Sequence, residues 1–268
     1  MKTAVIVTGQ ERTLRRTIRL LKQNLLEANN AVVFLACETD DPARTASYFQ
    51  GTEYGGSVLL PTFRTPEFNA FMTLLVVGDR PAVQPEVFDR SGEGWTMHYL
   101  RSSGTVIQYY QVWKAWLMLL EYEKANNMQF DMVVRCRPDT LLTERIDLSK
   151  LTTSADELTC RSMGLQRIMD RGEVTGQPWG DKVVWTLGQE QFWVAKRDTF
   201  ALLGPMVFAF GCWDSGTLFA FNSECFFTEF CKMNHITHWV YGDGDMFNYN
   251  HPGDDEVLED PGLLTLLR

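Results

Sequence analysis

The run Phe130–Thr140, FDMVVRCRPDT, constrains this chain more than any other stretch. Phe130, Met132, Val133 and Val134 form an apolar body too short for a helix, so the run predicts a buried strand. Pro138 lacks the N–H that a central ladder requires, so the strand has to stop before it. The strand therefore ends in Arg135 and Arg137 and then delivers Asp139 from a proline-stiffened turn. In open α/β sheets that position, at the end of a strand, is where ligands bind. Residues two apart on a strand share a face, so the two guanidinium groups can point the same way. Guanidinium forks suit a diphosphate, and a carboxylate suits Mg²⁺ or Mn²⁺. The bland alternative is a structural Arg–Asp ion pair at a strand end.

The chain opens with a second β-branched run, Ala4–Thr8, which predicts the first strand. Gly9–Arg12 reads as a loop. Thr13 then caps a helix with Leu14, Ile18, Leu21 and Leu25 on one face, ended by Asn29 and Asn30. Ala31–Cys37 predicts a second buried strand. A β–loop–α–β opening implies parallel strands joined by a crossover. Backbone N–H groups at the start of that helix attract phosphate, and Gly9, Gln10, Arg12 and Thr13 are the residues placed to hold it. The segment is neither G-x-G-x-x-G nor a P-loop, and an ordinary turn with surface arginines fits it equally well.

Residues 38–104 carry scattered Pro, Gly and Thr, with a short strand predicted near Phe71–Val77. A long helix follows from about Gly104, its apolar stripe formed by Val106, Tyr109, Tyr110, Trp113, Leu117 and Leu120, and Asn126–Asn127 ends it. Residues 152–182 are polar and aperiodic, as in a loop over a site or a β-excursion. Strands are predicted at Lys182–Leu187, Glu190–Ala195 and His235–Tyr241. Helices are predicted at Asp198–Leu203, with Asp198 as the cap, and at Ser223–Asn234. The tail from Gly242 reads as flexible and acidic. With no repeat and no clear linker, one α/β domain over 1–268 is expected, 1–150 forming a nucleotide-binding half and 151–268 an acceptor and metal half.

Charge narrows the partners. The chain has 34 acidic against 25 basic residues, a formal net charge of −9. Such a surface repels nucleic-acid backbones and anionic membranes. No apolar run is long enough for a membrane span. The six cysteines form no CxxC pair and mostly sit in apolar runs, so buried thiols in a reducing, cytoplasmic setting are expected.

Candidate acid–base groups are Glu190 and Glu224, either of which can act as a general base. Glu224 lies within the apolar stretch FNSECFFTEF, where helix capping is the competing role. A zinc site on His235 and His238 is disfavoured, because a strand puts them on opposite faces. A single histidine, His251 or His238, can complete a hard-metal site, with Asp243 and Asp245 nearby in sequence. Trp95, Trp179 and Trp213 fall in loops and can stack on a sugar ring or a base.

Gly9-Gln10-Glu11-Arg12-Thr13, then Tyr109–Lys114 (YYQVWK), then Arg135–Asp139 (RCRPD) and Gln191–Asp198 (QFWVAKRD) together resemble a group of small GT-A-like glycosyltransferases of bacterial polysaccharide clusters and large DNA viruses. The resemblance implies a GT-A-like, Rossmann-like central mixed sheet flanked by helices. It also implies transfer of a sugar from a nucleotide-diphosphate donor, UDP by default, to a hydroxyl of a glycan or glycoconjugate acceptor. Asp139 would take the DxD part that holds Mn²⁺ or Mg²⁺ on the diphosphate, and His251, read from the residues and not from the resemblance, is the further metal-ligand candidate. This chain departs from the pattern in having Arg137 where a first Asp would stand, which allows Arg137 to replace part of the metal's charge. A metal-dependent phosphohydrolase and a non-catalytic nucleotide- or sugar-binding module are the competing readings. A nicotinamide oxidoreductase is disfavoured by the missing glycine fingerprint.

Overall fold

The computed structural model describes residues 1–77, 104–142, 145–150, 157–162, 188–212, 226–227, 230–231, 234–240 and 246–248. Its organising strand is β1 (Thr3–Gln10), whose residues Ala4 to Val7 are all fully buried. A strand buried on both faces must be covered on both, and the alternation shows how. Ala4 and Ile6 join one core, while Val5 and Val7 join the other.

β1 pairs in parallel with β2 (Val32–Glu38) on one side and with β4 (Met132–Cys136) on the other. β3 (Glu53–Leu60) adds in parallel outside β2. Beyond β4 the sheet turns mixed. β7 (Gly188–Lys196) runs antiparallel to β4, β6 (Glu157–Ser162) is antiparallel to β7, and β8 (Thr237–Val240) is parallel to β6. The result is a seven-stranded sheet of order β3-β2-β1-β4-β7-β6-β8. A separate two-stranded sheet joins β5 (Thr140–Leu142) to β9 (Met246–Asn248). The protein is thus an α/β fold with a mixed sheet flanked by helices, and its first two strands are parallel as the sequence predicts.

One face is covered by α1 (Leu14–Leu21), which lays Leu14, Ile18 and Leu21 into the core and continues through a π turn (Lys22–Leu26) that adds Leu25 and Leu26. The helical run closes at Asn30 in the left-handed region, φ 47°. Thr13 does stand at the start of α1, but its side chain makes no capping bond; its carbonyl accepts from the N–H groups of Arg16 and Thr17. Likewise Lys196, not Asp198, occupies the cap position of α5 (Arg197–Leu203), and Asp198 lies in the first turn, where its charge complements the helix dipole.

The other face is covered by α4 (Gly104–Ala125), with α3 (Pro66–Val77) packed on it. The buried band of α4 comprises Val106, Ile107, Tyr109, Tyr110, Val112, Ala115, Trp116 and Leu119, broader than the predicted stripe. Trp113, Leu117 and Leu120 are only half-buried. Phe71–Val77 is the second half of α3 and not a strand. The i, i+3, i+4 set Phe68, Phe71 and Met72 is buried, and the Phe68 and Phe71 rings lie 5.1 and 5.0 Å from that of Tyr110. That packing outweighs the local β-propensity. The helix α2 (Pro42–Ser47), capped by Asp41 accepting from the Arg44 N–H, and the strand β3 occupy the stretch the sequence left unread. Met246–Asn248, inside the predicted flexible tail, is ordered as β9 by its ladder to β5. The predicted strand 182–187 and most of the predicted helix 223–234 lie outside the described residues. Among the described residues, no helix is long and apolar enough to cross a membrane.

Cys37 and Cys136 are buried, without disulfide partners. Burial pushes both thiols up, Cys136 to about 12, with the Arg135 charge opposing the rise. The reactive thiolate is therefore scarce at neutral pH. Peptide-resolved alkylation with iodoacetamide at pH 8 should leave Cys37 and Cys136 unlabelled in the native protein and label both after denaturation; labelling at the native rate of an exposed thiol would contradict this burial.

Candidate functional site

The four parallel strands place their carboxyl ends along one edge. Gln10 stands opposite Glu38, Glu38 opposite Leu60, and Val7 opposite Cys136. From β1 the chain moves outward to β2 and β3, then returns to place β4 on β1's other side. The exits of β1 and β4 thus lie side by side where strand order reverses, the position at which open α/β sheets hold their ligands.

A cleft of about 420 Å³ lies there, lined by Gly9, Gln10 and Arg12 after β1, Glu38 at the end of β2, Pro61, Thr62 and Arg64 after β3, Arg135, Arg137 and Asp139 from the end of β4, and Gly104, Ile107, Gln108 and Gln111 of α4. A neighbouring cleft of about 480 Å³ shares Gln10, Arg12, Glu38 and Pro61 and adds Glu11, Arg15, Thr39, Asp40, Arg44 and Tyr48. The two differ in charge. The first carries four arginines against two carboxylates, whereas the second has three arginines against three carboxylates. In a chain of net charge −9, the first is a locally positive hollow.

Several residues lining the first cleft are tied together by hydrogen bonds. Glu38 accepts from the Gln10 amide at 2.8 Å, the Phe63 N–H at 2.8 Å and the Thr62 hydroxyl at 3.3 Å, which ties together the exits of β1 and β3. Arg135 is fully buried and donates from Nε to the Thr8 hydroxyl at 3.0 Å. Arg137 grips Asp139 with two parallel bonds, Nε to Oδ1 at 2.9 Å and Nη2 to Oδ2 at 2.7 Å. Asp139's side chain is 3% exposed and Arg137's 19%. The turn between them is held by the Thr140 N–H donating to the Arg137 carbonyl and by the Thr17 hydroxyl donating to the Pro138 carbonyl. Two arginines and a carboxylate therefore do converge here, and the carboxylate is at the same time engaged in the Arg–Asp pair that the sequence offered as the bland alternative.

Gly9, Gln10 and Arg12 sit on the cleft's β1 side. Gly9 and Gln10 are the last residues of β1 rather than the start of a loop. Thr13 lines neither cleft. Glu11 turns to the second cleft, accepting from the Thr39 hydroxyl at 2.6 Å and pairing with Arg44 at 3.2 Å. Glu190 belongs to β7, two residues from Phe192, the ladder partner of Cys136, and so lies at the same end of the sheet as Asp139; nothing is described of its side chain. His238 lies on β8, three strands from β4, about 14 Å away at ordinary strand spacing. That is too far to share a cation with Asp139. Glu224, His251, Asp243, Asp245, Trp95, Trp179 and Trp213 lie outside the described residues.

These donors do not by themselves make a divalent-cation cage. Both Asp139 oxygens accept from Arg137, and among the described residues no three His, Cys, Asp or Glu side chains are grouped so as to hold a metal. Glu38, Thr62, Arg64, Gln108 and Gln111 were not legible as site residues, because other strands and α4 bring them to the cleft. Gln111 alone had a signal, its place within the YYQVWK segment.

No protein-family model matches this chain. No curated protein matches it either.

The meeting of the two strand exits depends on Gly9. It adopts φ +137°, a left-handed conformation that L side chains rarely adopt, and an added Cβ would lie 3.1 Å from Pro138 Cδ. Gly9→Ala should cost about 1–3 kcal/mol, combining backbone strain with displacement of the Arg137–Asp139 turn. Thermal unfolding should show a drop of several degrees, and an unchanged midpoint would contradict the close approach.

Proposed function

We propose that this protein is a glycosyltransferase that moves a sugar from a nucleoside-diphosphate donor to a hydroxyl of a glycan or glycoconjugate. The observation that carries the proposal is the arginine-rich cleft at the strand-order reversal, where Gln10 and Arg12 of the Gly-Gln-x-Arg-Thr segment face Arg135 and Arg137 of the R-x-R-P-D segment. The mixed sheet flanked by helices is compatible with the GT-A-like fold that the resemblance implies.

The chemistry asked of the chain is charge neutralisation. As the glycosidic bond to the diphosphate breaks, negative charge grows on the departing phosphoryl oxygens. Cations already fixed at that point stabilise the transition state without reorganising. Arg137 is fixed in this sense, because its fork is held by the Asp139 carboxylate. Arg135 is fixed by burial and by Thr8. The diphosphate would lie across these guanidinium groups, with Arg12 and Arg64 at the cleft's flanks, and the acceptor hydroxyl would lose its proton to a carboxylate, with Glu190 the candidate at this end of the sheet. In this reading Asp139 orients Arg137. Mn²⁺ or Mg²⁺, if bound beside the diphosphate, would add to the charge neutralisation that the arginines supply.

The test is a thermal-shift series with UDP, GDP, CDP and dTDP, with EDTA or Mn²⁺ present. One nucleoside diphosphate at about 100 times its Kd should raise the melting temperature by roughly 5–10 °C, the equivalent of about 2.7 kcal/mol. The shift should persist in EDTA and disappear in Arg137→Ala. Release of nucleotide from the matching sugar donor should fall about 10²–10³-fold in that variant. A shift that needs Mn²⁺ and vanishes in Asp139→Ala would mean that the carboxylate serves a metal. Binding without turnover of any sugar donor would leave a binding module, and no shift with any nucleotide would overturn the proposal.

A further inference from the structure

Gln111 lies two turns inside α4, yet its side chain is a wall of the cleft. The cleft-lining residues Gly104, Ile107, Gln108 and Gln111 have the i, i+3, i+4, i+7 spacing of one helical face. Gln111 is the deepest of these along the helix, ~10 Å from its start at the rise of an α-helix. The terminal N–H groups of α4 are therefore distant from it. Gln111 is 2% exposed, and among the described residues its amide Nε2 has no hydrogen-bond partner. A buried donor left unmade is costly, and an apolar side chain of the same length would fill the space without that cost. The fold thus gains nothing from an amide here. Its neighbours in the cleft, Arg135 and Arg137, are cationic, so an acceptor arriving beside them would be an anionic oxygen.

We infer that Gln111 is a ligand-positioning residue, whose side-chain amide donates to a phosphoryl oxygen of the diphosphate held by the arginines. The inference rests on the proposed reading of the cleft as a diphosphate site. A guanidinium cluster attracts any phosphate in several poses, whereas one neutral amide at a fixed depth accepts only the pose that brings an oxygen to it. The arginines supply attraction, and Gln111 supplies register along the cleft. A donor seated one phosphoryl group out of place would leave this amide unmade.

Gln111→Met removes the donor while keeping length and apolar contact. Gln111→Glu keeps the shape and places a carboxylate against the anion. UDP, GDP, CDP, dTDP and inorganic pyrophosphate serve as probes in isothermal titration calorimetry. Without ligand, Gln111→Met should melt at or above the wild-type temperature, since a buried unmade donor has gone. Its Kd for the diphosphate that wild type binds should rise about 10- to 100-fold, the usual range for a hydrogen bond to a charged partner, and Gln111→Glu should bind more weakly still. An unchanged Kd in Gln111→Met, with the melting temperature lowered or not, would overturn the inference and leave Gln111 a packing residue. If Arg137→Ala abolishes binding while both Gln111 variants bind as wild type, this inference alone fails. If wild type binds none of the probes, the diphosphate reading of the cleft fails and this inference with it.

Discussion

Everything at the site follows from β1 being paired in parallel on both sides. The ladder to β2 puts Gln10 opposite Glu38, and the ladder to β4 puts Val7 opposite Cys136. Two residues beyond those last partners, Gly9 meets Pro138, and the approach is close enough that a Cβ would press on the proline ring. Backbone hydrogen bonds, not side-chain choices, therefore bring the Gly-Gln-x-Arg segment to the R-x-R-P-D segment. Because the chain leaves β1 toward β2 and β3 and later comes back to β1's other side, strand order reverses at that junction, the position at which open α/β sheets hold their ligands.

Into that room the fold places positive charge that the protein as a whole does not have. A fully buried arginine is expensive to desolvate, and Arg135 is tolerated because it lies at the cleft floor with Thr8 as an acceptor. The Arg137–Asp139 pair is partly exposed on the arginine side, and as a stabiliser of the fold such a pair contributes little. Its physical consequence is orientation. Two parallel bonds fix the plane of the guanidinium group, so its remaining edge is presented at a constant angle. A carboxylate used this way has both oxygens engaged by the guanidinium group.

Several features were legible from residue type and spacing alone. Apolar, β-branched runs marked β1, β2 and β4, the last also by its proline stop, because burial on both faces demands near-continuous apolar residues. Arg135, Arg137 and Asp139 could be grouped because they belong to one strand and its turn. The stretch containing α2, β3 and α3 was not readable. β3 carries two glycines and half-buried side chains, so it lacks an apolar signature. α3 is apolar enough to resemble a strand until its packing on Tyr110 is known. Thr13 holds the cap position of α1 without a side-chain capping bond, and the cap of α5 falls on Lys196 rather than Asp198, because residue type alone fixes neither the bond nor the helix start.

By itself, then, the sequence determined the local facts: which segments are apolar, where proline ends a strand, and that two arginines and a carboxylate share one strand end. Tertiary structure decided which strand ends meet, that Glu38, Arg64 and Gln111 join them, and that Asp139 is held by Arg137. The reason is physical. Periodicity and turn chemistry act over a few residues, whereas the cleft is assembled by sheet pairing between segments more than a hundred residues apart, and the pairing partner of a strand is not written in the strand.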